Sequence, residues 1–134
     1  MTSPVPIALV VCDNVYREPS GKIALVGLFN RLFAAKLPAR HPRLCVYASL
    51  TEIRPRTKLQ LRIVHPETDA VVASIDGESS PNSDPMAVED TVFFLSNLLF
   101  PQAGRYDIQL WGGGNLLSQR PFIVSRTRRE ENRR

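Results

Sequence analysis

The sequence predicts an all-β domain, a single antiparallel β-sandwich of about eight strands. Three observations lead there. Between Phe100 and Trp111, the apolar residues Tyr106, Ile108 and Leu110 alternate with Arg105, Asp107 and Gln109, the period of two that puts one face of a strand in a core and the other in water. Gly112, Gly113 and Gly114 follow at once and tolerate positive φ, so the chain can double back into a hairpin whose second arm is Leu116 to Val124. Upstream, short apolar segments recur at roughly even spacing with turn residues between them, the pattern of a sandwich or barrel.

Taken in order, Ile7 to Cys12 is apolar at every position, which predicts a strand covered on both faces and ending at Asp13-Asn14. Pro19-Ser20-Gly21-Lys22 is a turn, and Lys22 to Phe29 is the next strand. Arg31 to Leu37 either continues it or coils. Pro38 and Pro42 bound a connection through Ala39-Arg40-His41. Leu44, Val46, Ala48 and Leu50 then share one face of a strand, with Cys45, Tyr47 and Ser49 on the other. After Arg54-Pro55-Arg56, Lys58 to Ile63 alternates cleanly and should turn Leu59, Leu61 and Ile63 inward. His65 to Asp69 leads by a turn into a short strand, Ala70 to Ile75, whose β-branched residues suit a pleated surface. Asp76 to Pro85 is a loop of Gly, Ser, Pro, Asn and Asp. Met86 to Leu99 fits both helical and strand periods in part; the Val92-Phe93-Phe94 cluster and the break at Pro101 favour a strand. Pro121, inside the last strand, cannot donate to a ladder, which predicts an edge or a bulge there.

A chain of 134 residues, 43% hydrophobic and 22% charged, suits one domain with a closed core. The expected division is a sandwich over residues 1–124 and a disordered Arg/Glu-rich tail over 125–134. The net charge of +4 is concentrated in that tail: Arg126, Arg128, Arg129, Arg133 and Arg134 against Glu130 and Glu131, leaving residues 1–124 at +1. Cys12 and Cys45, the two cysteines, both lie in apolar strand segments where a free thiol serves as a small core residue; whether they pair stays open. The start has no Lys or Arg before a short apolar run, unlike an export signal, and no run approaches the ~18–20 apolar residues of a membrane-spanning helix. The expectation is a cytoplasmic protein with no membrane partner.

Two stretches carry resemblances. Ala103-Gly104-Arg105-Tyr106 resembles the Gly-x-Tyr of the tyrosine corner in immunoglobulin-like sandwiches, where the Tyr hydroxyl returns to an upstream backbone group. Ile108 stands where antibody domains carry a disulfide cysteine, so the likeness is to the architecture alone. The opening from Ala8 to Pro38, with Cys12-Asp13, Gly21-Lys22-Ile23 and Gly27-Leu28-Phe29 in that order, and the closing Pro101 to Tyr106 together resemble an uncharacterised bacterial family, a domain of unknown function, across roughly residues 6–124. The resemblance implies a bacterial β-sandwich and assigns no activity, catalytic residue or ligand.

Read for chemistry, the residues offer little that converges. His41 and His65 each precede a proline and read as exposed turn histidines, without the spacing of a zinc site. No Gly-x-Ser-x-Gly elbow is present, and Gly112-Gly113-Gly114 lacks the helix start and Lys-Ser/Thr of a phosphate loop, so it reads as a turn. Asp76, Glu78, Asp84, Glu89 and Asp90 could present oxygens to Ca²⁺ but match no EF-hand, and a solvated acidic loop is the simpler reading. No motif calls for a cofactor, metal or catalytic group.

The sequence therefore favours a non-enzymatic module that works through protein contacts, as a homo-oligomer or an accessory subunit, with edge strands able to pair with another chain. The alternative is a weak nucleic-acid or polyanion binder using Arg126, Arg128, Arg129, Arg133 and Arg134. Binding that resisted salt and survived truncation after Val124 would defeat that account and point to a basic face assembled from Arg31, Lys36, Arg40, Arg43 or Arg54. An enzyme with a rim site at His41, His65 or the acidic loop has the least support.

Overall fold

A computed structural model describes residues 3–127. Among these residues nine strands form two stacked sheets: β1 (Val5–Arg17), β2 (Ile23–Leu28), β3 (Arg31–Ala34), β4 (Ala39–Thr51), β5 (Lys58–Val64), β6 (Val71–Glu78), β7 (Val88–Phe100), β8 (Gly104–Gly112) and β9 (Asn115–Arg126). One sheet has the order β2-β1-β4-β7 and the other β3-β9-β8-β5-β6. All pairs are antiparallel except β3 with β9, which is parallel. Arg31–Ala34 thus neither coils nor continues β2; it crosses to the opposite sheet and supplies the ninth strand.

The core is the alternating set the strands predict. Leu44, Val46, Ala48 and Leu50 of the first sheet face Leu59, Leu61, Ile63, Tyr106, Ile108 and Leu110 of the second, joined by Phe93, Leu95, Phe100 and Phe122. Leu61 sits between Ile75 and Leu110 in the two flanking strands, which accounts for its complete burial.

Met86 to Leu99 resolves as strand, because β7 pairs with β4 along nearly its full length, from Val88 opposite Thr51 to Phe100 opposite Ala39. That pairing also draws Ala39-Arg40-His41, expected as a connection, into β4. β1 likewise runs past Asp13-Asn14 to Arg17, since β2 offers a partner as far as Ile23. The glycine turn joins β8 to β9 through Gly113 and Gly114, both at positive φ (58° and 86°), as a two-residue hairpin loop requires.

β9 is an internal strand, yet Pro121 fits the expectation of a local edge. The amide of Ile123 donates towards β3, to the Asn30 carbonyl at 3.0 Å, so the nitrogen of Pro121 two residues earlier points the same way. There β3 has not begun, its pairing starting at Ile123. Ser125 and Arg126 pair with Phe33 and Ala34, and the Thr127 amide donates to the Ala34 carbonyl. The sandwich consequently extends beyond the expected boundary at Val124.

Candidate interaction face

The two outer faces of the sandwich differ in chemistry. Across the middle of the five-stranded sheet the outward side chains form a polar row, with Phe33 exposed at its β3 edge: Gln60 Nε2 donates to Asp76 (2.7 Å), Arg62 Nε to Gln60 (2.7 Å), Trp111 Nε1 to Gln109 (3.0 Å) and Gln109 Nε2 to Gln119 (3.1 Å). The Arg62 guanidinium lies over the Trp111 ring, 5.2 Å from its centroid. These groups satisfy one another and leave a wet surface.

The outer face of the four-stranded sheet is apolar. Residues paired across the strands place Leu28, Cys12, Cys45 and Phe94 in one continuous row from β2 to β7. Leu28 and Phe94 are 64% and 60% exposed. Val10, Tyr47 and Val92 form the next row, while Val26 and Tyr16 extend the face on the other side. The prediction that Ile7 to Cys12 is covered on both faces is met in part: Val11 packs into the core and Cys12 is buried on the outer side, while Val10 is half-buried and Ile7 is exposed. Arg40 and Arg43 are exposed at the β4 start of this face. At its other end, Tyr47 donates its hydroxyl to Asp90 at 2.6 Å.

Cys12 and Cys45 lie directly opposite each other in the β1–β4 ladder, and both are free and buried. Burial above all, with the Cys45 thiol and the Asp13 carboxylate adding to it, pushes Cys12 above its ordinary 9.0. Burial also raises Cys45, against the opposing pull of Arg43. Both thiols are therefore protonated at neutral pH and poor nucleophiles. The Cys45 thiol rests 3.4 Å from the Asp13 carbonyl.

Both histidines correct the expectation of exposed turn residues. His65 is only 8% exposed and stands edge-on to Tyr106, their centroids 5.4 Å apart; its Nδ1 accepts the Glu67 amide at 3.3 Å, and its Nε2 lies 2.8 Å from Gln102 Nε2. His41 is half-buried in β4, 5.9 Å from the Phe29 ring, with Nε2 buried and unpartnered among the described residues. The two rings are on different sheets and do not converge. The carboxylates of the 76–90 region are divided: Asp76, which holds Gln60, and Glu78 are in β6, while Asp84, Glu89 and Asp90 border one groove, where Glu89 accepts from Ser80 N and Ser83, Asp84 caps the Met86 amide and Asp90 meets Tyr47. Among the described residues no three His, Cys, Asp or Glu side chains come together to hold a metal.

Of the proposed polyanion-binding arginines, Arg126 is exposed at the end of β9, and Arg128, Arg129, Arg133 and Arg134 lie outside the described residues. Of the alternative basic set, Arg31 donates to Ser125, Lys36 is exposed between β3 and β4, Arg40 and Arg43 belong to the start of β4, and Arg54 follows its far end.

The tyrosine corner is formed. Tyr106 donates its hydroxyl to the Gln102 carbonyl at 2.6 Å and accepts the Gln102 amide at 3.2 Å. Two stacked sheets, a long β4–β7 pair and this corner define an immunoglobulin-like β-sandwich. The chain belongs to the family of unknown function DUF6941, which it matches over residues 7–125. Among solved structures it is similar to an immunoglobulin-like protein from Pseudomonas aeruginosa, with 15% identity, a TM-score of 0.47, and coverage of 92% of this chain and 97% of that one. A Pseudomonas fluorescens alkylpurine DNA glycosylase, AlkC, bound to DNA containing an abasic site analog, gives 9% identity and a TM-score of 0.43, covering 87% of this chain and 30% of that one. No curated protein matches the chain.

Proposed function

We propose that this domain is a non-catalytic contact module and that the outer face of the four-stranded sheet pairs with a second copy of the chain. One observation carries the reading: across the outer face of the four-stranded sheet, Leu28 and Phe94 stand 64% and 60% exposed at the two ends of an apolar row whose middle, Cys12 and Cys45, is buried. Exposed apolar area of this kind marks an interaction site.

Size and charge favour a second copy over an unrelated partner. Four strands at ~4.8 Å spacing and up to thirteen residues at ~3.3 Å each give a face of about 600–800 Å², close to the ~800 Å² per partner of a stable interface. A two-fold axis along the Leu28–Cys12–Cys45–Phe94 row lays that row on itself. It also sets the Arg40 and Arg43 end of one copy against the Asp90 end of the other, so the charges at the rim complement each other.

Sedimentation velocity over a range of concentrations tests this. The expected result is a dimer that Phe94→Glu converts to monomer, with the far-UV spectrum and melting temperature of the isolated domain retained. Wild-type protein that stays monomeric at about 100 µM, where even weak specific dimers form, would refute self-pairing. A dimer indifferent to Phe94→Glu and Leu28→Glu would place the contact elsewhere.

A further inference from the structure

We propose that the groove between the 52–58 loop and the β8–β9 hairpin binds the phosphate group of a small molecule. The groove encloses about 580 Å³ at the end of the sandwich away from Arg40, and Arg54, Arg56, Lys58, Gly113, Gly114 and Glu52 line it. That volume falls within the range of small-molecule sites. This site is independent of the apolar face described above.

Three observations converge on an anionic ligand. Arg54, Arg56 and Lys58 bring three cations to one wall within five residues, against the single carboxylate of Glu52, and none forms an ion pair among the described residues. An anion seated in the groove would be attracted by all three.

The loop carrying them is fixed in place. Ile53 is fully buried beneath it. The Thr57 amide donates to Ser79 Oγ at 2.8 Å, Ser79 Oγ and Thr57 Oγ1 both donate to the Arg54 carbonyl at 2.6 and 2.8 Å, and the Arg56 amide donates to the Ser80 carbonyl at 3.3 Å. The side chains thus project from a preorganised base, which lowers the ordering cost of binding.

The backbone of the groove is also unusual. Glu52 and Arg56 both adopt left-handed φ, 55° and 56°, a conformation L-residues with side chains rarely hold. Two such residues in one wall are the kind of local strain that collects at ligand sites. Beside them the Gly113 amide is held by the Lys58 carbonyl at 2.9 Å, and open space would surround a Cβ added at Gly113 or Gly114, so an anion can reach the cations without a side chain of the hairpin in the way.

An NMR titration with inorganic pyrophosphate at low salt tests the proposal, using the full chain. Saturable amide shifts should concentrate in residues 52–58 and 112–115, and Arg54→Ala/Arg56→Ala, which removes two charge-assisted hydrogen bonds, should weaken binding by about a hundredfold or more. Lys58→Ala, a milder change on the exposed side of β5, should weaken it with the dispersed spectrum of a folded protein. The proposal is overturned by shifts that are absent, spread over Arg40 and Arg43, confined to residues 128–134, or unaffected by these variants. A single-stranded oligonucleotide that binds the same residues more tightly than pyrophosphate at equal phosphate concentration would overturn the small-molecule assignment.

Discussion

Replacing Tyr106 with Phe removes one oxygen from a fully buried ring and asks what that oxygen is worth. The ring itself keeps its place, edge-on to Phe100 (5.1 Å between centroids) and to His65 (5.4 Å). Two hydrogen bonds disappear together, one donated to the Gln102 carbonyl and one accepted from its amide. At ~0.5–1.5 kcal/mol net for each bond, the loss would be ~1–3 kcal/mol. Gln102 is exposed, so water can replace part of what its backbone loses, which brings the expectation to about 1–2 kcal/mol. For a domain of this size that is a fall in melting temperature of roughly 3–10 °C. Urea denaturation followed by Trp111 fluorescence and by circular dichroism should show a lower midpoint with an unchanged m-value. Tyr106→Ala, which also empties the ring's volume, should cost about 3–5 kcal/mol. A Phe variant within about 0.5 kcal/mol of wild type, the range of ordinary surface changes, would mean that packing alone, and not the hydroxyl, holds the corner.

Two further outcomes follow from burial. Leu61→Ala empties a position with no exposed surface, between strands on both sides, and should destabilise by ~2–5 kcal/mol in the same denaturation assay; a loss under about 0.5 kcal/mol would contradict its inward orientation. Cys12, Cys45 and Tyr47 all have folded-state pKa values above their ordinary 9.0, 9.0 and 10.0, so the native state keeps these protons longer than the unfolded chain does. Their contribution to stability is then full below about pH 9 and is lost as pH rises beyond it. Urea midpoints measured from about pH 7.5 to about pH 10.5 should fall, and Cys12→Ala/Cys45→Ala should flatten the fall; the same slope in the double variant would clear the thiols of responsibility.

The strands that were legible in the sequence are those whose alternation faces a single core. Leu59, Leu61 and Ile63 in β5 and Tyr106, Ile108 and Leu110 in β8 all turn inward as their period of two requires, because a one-residue slip would expose the whole set. Asn97, at a φ of 52°, shows why β7 was harder to read: the strand takes an irregular step there, with Leu95 and Leu98 both buried, and that i, i+3 spacing imitates a helix. β3 has only four residues, too few for a period to declare itself, and its partner lies more than ninety positions away in β9. His65 looked like an exposed turn residue because a proline follows it; its burial depends on Tyr106 and Gln102, which the fold brings to it from the far side of β6 and β7.

By itself, then, the sequence determined the all-β class, the sandwich, the glycine hairpin and the tyrosine corner. Each depends on local chemistry: alternation along one strand, φ freedom at a turn, or a hydroxyl returning four residues upstream. The tertiary structure alone decided which apolar row ends in exposed side chains, Leu28 and Phe94. Cys12, Leu28, Cys45 and Phe94 are spread over eighty-three positions of chain and become one row only when β2, β1, β4 and β7 align. It alone also set Arg54, Arg56 and Lys58 opposite a hairpin more than fifty residues away. Strand pairing joins residues by register rather than by sequence separation, so both surfaces exist only once the two sheets have formed.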